Sequence, residues 1–138
     1  MQCRACGIET QCRARADLTY YECPGCGGLW FNQGELESMI SRKVGIPLSA
    51  RPSGPSADIE QGGGGSRPQI GRGDCPSCGP EVRLIPMTTY ATRRAKILGC
   101  PVCFGHWLSR DQALVLIEHV CYRGLVGRLR KLFRRRLP

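Results

Sequence analysis

The chain has 138 residues, 41% of them hydrophobic, with 18 glycines and 10 prolines. That suffices for one ordinary domain or two small ones and is poor material for one large apolar core. The formal charge of +9 is uneven: residues 1–40 are net acidic, while residues 122–138 carry seven basic groups and no acidic one. No run approaches the ~20 apolar residues that span a bilayer.

Ten cysteines remain to be explained, and eight form four Cys-x-x-Cys pairs. The N-terminal "MQCRACGIETQC" has no apolar signal-peptide core, so a reducing, cytoplasmic setting is expected. There, such pairs read as metal ligands ahead of a disulfide framework or a dithiol redox site. Domains below about 40 residues need a staple of this kind to fold.

In chain order, "CRACG" forms a tight turn carrying Cys3 and Cys6. "TQCRARADLTYYE" follows as two β-prone stretches turning near Ala16-Asp17. "CPGCG" brings Cys23 and Cys26 to close the hairpin, and Trp30 leads into a helix predicted over 33–43. Asn32 followed by Glu35 has the spacing of a capping box. Residues 44–74, which include "QGGGGSRP", lack periodicity and read as a flexible Gly/Pro-rich linker.

The same unit then recurs. "CPSCG" carries Cys75 and Cys78, and "EVRLIPMTTY" with "RAKILG" predicts a hairpin with a longer turn. "CPVCFGHW" carries Cys100 and Cys103, and Ser109 with Gln112 repeats the capping-box spacing before a helix starting near 110. Set over each other, "CPGCGGLWFNQGELESMI" and "CPVCFGHWLSRDQALVLI" align Gly28 with Gly105 and Trp30 with Trp107. The expected organisation is unit one at 1–43, linker at 44–74, unit two with its helix at 75–121, and a tail at 122–138.

Two Cys-x-x-Cys turns complete a tetrahedral S₄ site of the kind structural zinc prefers. Cys3, Cys6, Cys23 and Cys26 are assigned to one ion; Cys75, Cys78, Cys100 and Cys103 to a second. Interleaved pairing across the linker is the competing arrangement, and iron is the competing ion because S₄ geometry suits both metals. A closed S₄ shell leaves no position for water, so metal-assisted hydrolysis is not expected. Gly7, Gly27 and Gly79 follow their turns where a positive φ is needed; Phe104 stands at the fourth, which is either strained or differently shaped.

Several residues receive plainer readings. Cys12 and Cys121 are expected as buried small hydrophobes, and Trp30 and Trp107 as packing each helix on its own hairpin. His106 follows the last cysteine pair closely, but Leu29 holds that place in the first copy, so it reads as a bystander. Nothing resembles a catalytic triad or a phosphate-binding glycine loop, and no enzyme activity or small-molecule substrate is expected.

"CPGCGGLWFNQGELESMI" resembles the TFIIB-type zinc-ribbon family, closely over residues 3–42 and more loosely over 75–118. The resemblance implies zinc at all eight paired cysteines and a small metal-stabilised α+β fold: two zinc ribbons, each a β-hairpin with a short helix. It also suggests a role with nucleic acid or the transcription machinery.

In the tail "YRGLVGRLRKLFRRRLP", at about 100° per residue, Leu125, Val126, Leu129, Leu132, Phe133 and Leu137 share one side. Arg128, Arg130, Lys131, Arg134 and Arg135 fill most of the other, and Arg136 intrudes on the apolar side. A basic amphipathic helix is predicted. It suits nucleic acid, an anionic membrane surface contacted peripherally, a partner's groove, or packing on the ribbons of the same chain with its arginines in solvent. Arg93, Arg94 and Lys96, on the second hairpin, are the other candidate nucleic-acid contacts. The expected functions are thus a zinc module for nucleic acid or transcription machinery, a protein-docking adaptor with a membrane- or groove-binding tail, or a rubredoxin-like iron electron carrier.

Overall fold

A computed structural model describes residues 1–48 and 73–122 of the chain. Strands β1 (Gln11–Arg15) and β2 (Leu18–Glu22) pair antiparallel from Gln11↔Glu22 to Arg15↔Leu18. The two residues between them, Ala16 and Asp17, have φ of 47° and 63°. Two successive left-handed residues make the turn whose twist matches a hairpin, so the predicted turn lies where Ala-Asp stands. Strand β3 (Leu29–Phe31) adds to β2, and helix α1 (Glu35–Arg42) follows.

The second copy repeats this order. A short pair, β4 (Asp74–Cys75) and β5 (Gly79–Arg83), surrounds the first cysteine turn. Strands β6 (Ile85–Thr88) and β7 (Lys96–Gly99) form the hairpin, β8 (His106–Leu108) joins β7, and α2 (Arg110–Ile117) follows. A π-helical turn continues α2 over Glu118–Tyr122. The described residues form a small α+β protein in which strands predominate.

The two copies share one sheet of six strands in the order β1-β2-β3-β8-β7-β6. At its centre β3 and β8 run antiparallel, pairing Leu29↔Leu108, Trp30↔Trp107 and Phe31↔His106. Equivalent strands thus meet each other, as at an approximate two-fold axis through the tryptophan pair. Three consecutive buried residues on each strand reflect a sheet covered on both faces. One face carries α1 and α2 over a core of Leu18, Tyr20, Phe31, Leu36, Met39, Ile97, Leu108 and Leu116. Tyr20 and Phe31 stack there with ring centroids 6.0 Å apart. The other face carries the cysteine turns, with Trp30, Leu98 and Trp107 packed among them.

The tryptophans therefore do not pack each helix on its own hairpin. Trp30 is 0% and Trp107 7% exposed, and they lie on the side of the sheet opposite the helices. Each ring covers the glycine of the other copy. A Cβ on Gly105 would sit 2.2 Å from Trp30 Cζ2, and one on Gly28 would sit 2.4 Å from Trp107 Cζ2. Burying rings of 150–250 Å² contributes at most about 4–6 kcal/mol each before entropy costs. The joint between the copies rests on these rings more than on three residue pairs of ladder.

The capping boxes form differently from expectation. Helix α1 starts two residues late, with Gly34 at its N-cap in the left-handed region (φ 80°) and no side-chain cap bond. Asn32 Oδ1 instead accepts from Trp30 Nε1 at 3.2 Å, satisfying the one polar atom of a buried ring. In the second copy Ser109 does cap, its side chain accepting from Gln112 N at 3.4 Å. The expected reciprocal bonds are replaced in both copies alike. Glu35 Oε2 accepts from Thr19 N (3.2 Å) and Gln112 Oε1 from Lys96 N (2.6 Å), so each helix start is tied to a neighbouring strand.

Residues 44–48, the first five of the expected linker, lie against the core: Ile46 is buried, and Val44 and Leu48 pack beside it. Residues 49–72 and the tail beyond Tyr122, with Arg128, Arg130, Lys131, Arg134, Arg135 and Arg136, lie outside the described residues. So does the predicted amphipathic helix. No described helix is long and apolar enough to cross a membrane.

Candidate metal centres

The eight paired cysteines come together as two groups of four: Cys3, Cys6, Cys23 and Cys26, and Cys75, Cys78, Cys100 and Cys103. Within each group all sulfurs lie within 4.8 Å of one another, and no interleaving across the linker occurs. Cys3 Sγ is 3.6 Å from Cys26 Sγ and Cys6 Sγ is 3.3 Å from Cys23 Sγ. The second group gives 3.6 Å for Cys75–Cys103 and 3.8 Å for Cys78–Cys100. A disulfide requires ~2.05 Å. A tetrahedron of sulfurs around an ion with ~2.3 Å bonds has an edge of about 3.8 Å. The observed separations fit the ion.

The turns are built alike. Gly7 N donates to Cys3 O at 2.7 Å, Gly27 N to Cys23 O at 2.8 Å and Phe104 N to Cys100 O at 3.1 Å. Gly7 and Gly27 have φ of 71° and 67°, and Phe104 has 56°. The fourth turn is therefore not differently shaped; phenylalanine sits in the same left-handed conformation, at a cost of about 1–2 kcal/mol. Its side chain is 56% exposed, so burial of the ring does little to offset that cost. Backbone amides also aim at sulfur: Cys78 N at Cys75 Sγ (3.3 Å), and Val102 N and Cys103 N at Cys100 Sγ (3.4 Å each).

Without metal, the thiols of one cluster differ sharply in proton affinity. The hydrogen bond to Cys26, and then burial, push Cys3 far above the ordinary cysteine value. Cys26 is drawn down to about 5 by the same bond, against its own burial. Burial pushes Cys23 up to about 11 and Cys75 to about 12. At Cys100 burial acts upward, but the amides of Cys103 and Val102 outweigh it and the thiol falls to about 7. A bound cation must therefore displace protons from several of these sulfurs.

The remaining candidates separate cleanly. Cys12, expected to be buried, is exposed on edge strand β1, all five of whose residues face solvent. Cys121 is partly buried against the helix-side core, with Sγ 3.8 Å from Lys43 O. Neither belongs to a cluster. His106 lies on the helix side of the sheet, its Nε2 3.8 Å from Glu37 Oε1, and Nδ1 is buried with no hydrogen-bond partner among the described residues. It stands outside both four-sulfur groups. Arg93, Arg94 and Lys96 are exposed at and beside the β6–β7 turn.

Sequence reasoning misses Gly28 and Gly105 as joint-forming residues. A signal for them is present: both copies read Gly-x-Trp, which puts a missing side chain and a large ring on one face of a strand.

Four sulfurs from two turns, closed by a hairpin and backed by a helix, make a four-cysteine module similar to a zinc ribbon. Residues 2–42 match the family model of the TFIIB zinc ribbon, described as transcription factor zinc-finger. The match spans the first copy; the second is supported by its own four-cysteine cluster. Neither the curated proteins nor the solved structures include a match to this chain. The family match and the two clusters support zinc binding.

Proposed function

We propose that the chain is a non-catalytic protein holding two Zn²⁺ ions, whose fused ribbons form a rigid frame for binding nucleic acid. The sulfur shells fit closed four-coordinate ions, which organise structure and leave no position for a substrate. The observation that carries the binding role is an asymmetry of charge on a nearly symmetric frame. Residues 1–40 hold three basic and five acidic residues, whereas residues 75–121 of the second copy hold five basic and three acidic, the basic ones all lying between 83 and 110 with no acid among them. Metal and fold require no such difference. The basic tail, 122–138, brings seven further basic residues to the chain.

Binding of the full chain to unrelated DNA and RNA oligonucleotides across a salt series tests this. Affinity is expected to fall steeply with salt as phosphate counterions are released. A flat or absent signal at low salt rejects the reading. The apolar stripe of the tail favours a second reading, in which the protein is cytoplasmic and the tail docks on an anionic membrane or a partner's groove. Co-sedimentation with anionic vesicles, with and without residues 122–138, tests the membrane version; equal sedimentation rejects it. An iron-loaded electron carrier is rejected by a colourless protein with stoichiometric zinc.

A further inference from the structure

The two hairpins correspond strand for strand, but their tips do not. The β1–β2 tip is two residues, Ala16 and Asp17. The β6–β7 tip spans residues 89–95 and ends at the exposed Lys96. Nothing in the metal sites or the joint needs this extension, since β7 reaches the cysteine turn at its opposite end.

The longer tip is internally braced. Thr89 and Thr92 are buried. Thr89 Oγ1 donates to Thr92 O at 3.0 Å and accepts from Thr92 N at 3.2 Å, while Thr92 Oγ1 accepts from Arg94 N at 3.1 Å. Ala95 is fully buried beneath. These anchors turn the intervening side chains outward: Arg93 and Arg94 are exposed, and Tyr90 is 74% exposed. Both tryptophans are buried in the joint and Phe104 sits at the far end of β7, so Tyr90 is the aromatic this tip offers.

A solvent-facing ring on a braced turn, in a run of sequence that holds cations and no acid from residue 82 to 110, matches what an unstacked base and its phosphates require. A duplex keeps its bases stacked and would use only the cations. We infer that the β6–β7 tip is a single-strand nucleic-acid site, with Tyr90 stacking on a base and Arg93, Arg94 and Lys96 holding the flanking phosphates. This rests on the nucleic-acid reading above and assigns its specificity.

The test uses the full, zinc-loaded chain and a fluorescein-labelled mixed-sequence DNA of about 12 nucleotides, single-stranded and as a duplex. Tyr90→Ala should weaken single-strand binding roughly five- to 150-fold, with little effect on the duplex. Tyr90→Phe should retain it. Arg93→Ala with Arg94→Ala should reduce the single-strand salt slope by about 1.4, because two phosphates are no longer neutralised. Zinc content and tryptophan emission should match wild type in each variant. Tyr90→Ala binding with wild-type affinity, or losing single strand and duplex equally, overturns the tip assignment while leaving general nucleic-acid binding intact. Wild type binding neither form at low salt overturns the functional reading itself.

Discussion

Replacing Gly105 with alanine would place a methyl carbon 2.2 Å from Trp30 Cζ2, 2.7 Å from Cη2 and 3.0 Å from the Phe31 carbonyl oxygen. The ring cannot swing aside, because Trp30 is fully buried and its Nε1 is held by Asn32. The backbone of β8 must retreat from β3, which loosens the pairs that join the two copies. Overpacking of this kind costs about 1–3 kcal/mol and more where backbone lines the clash, so about 3 kcal/mol is expected. The strain also reaches the metal: Gly105 O accepts from Cys100 N at 2.8 Å, as Gly28 O does from Cys23 N at 2.9 Å. Gly28→Ala should behave alike, and the double variant should cost less than the sum, since one joint can be broken only once. Gly7→Ala is the control, with no neighbour within 4 Å of the added carbon, so only its φ of +71° is penalised. Denaturant unfolding in excess zinc, followed by tryptophan emission, reads the cost and the exposure of the rings together. Gly105→Ala within about 0.5 kcal/mol of wild type, with unchanged emission, would refute the interlocking of ring and glycine.

Cys23→Ser should remove one zinc equivalent per chain by mass spectrometry, while Cys12→Ser, at an exposed strand position outside both clusters, should keep the wild-type metal content; equal losses would contradict the ligand assignment. Zinc affinity should fall with pH between about pH 8 and pH 6. The sign follows from Cys23 and Cys75, raised to about 11 and about 12: they hold protons that the cation must displace, and acid makes this harder. A chelator competition that gives the same affinity at both ends of the range would rule this out. Phe104→Gly should relieve about 1–2 kcal/mol of left-handed strain and return about 0.5–1 through the entropy of glycine, for a net gain of up to about 1.5 kcal/mol. A loss of stability in thermal unfolding would mean that the exposed ring packs on something.

Local sequence was enough to place the eight clustered cysteines and their division into two groups of four, the hairpin turn at Ala16-Asp17 and the approximate start of α2. These rest on short-range chemistry: two sulfurs reach one ion only at short fixed spacing, and a tight turn is set by its own few residues. Other features emerged only with the assembled fold. The copies fuse into one sheet, the tryptophans face away from the helices, and Glu35 and Gln112 serve strand amides instead of their own helix caps. Cys12 is exposed because β1 lies at the edge of the sheet, with all five of its residues open among the described residues. Each of these depends on what a distant segment brings alongside. The Gly-x-Trp motif belongs to both accounts: legible twice in the sequence, it acquires its meaning only when each ring finds the other copy's glycine, a fit that no local preference encodes.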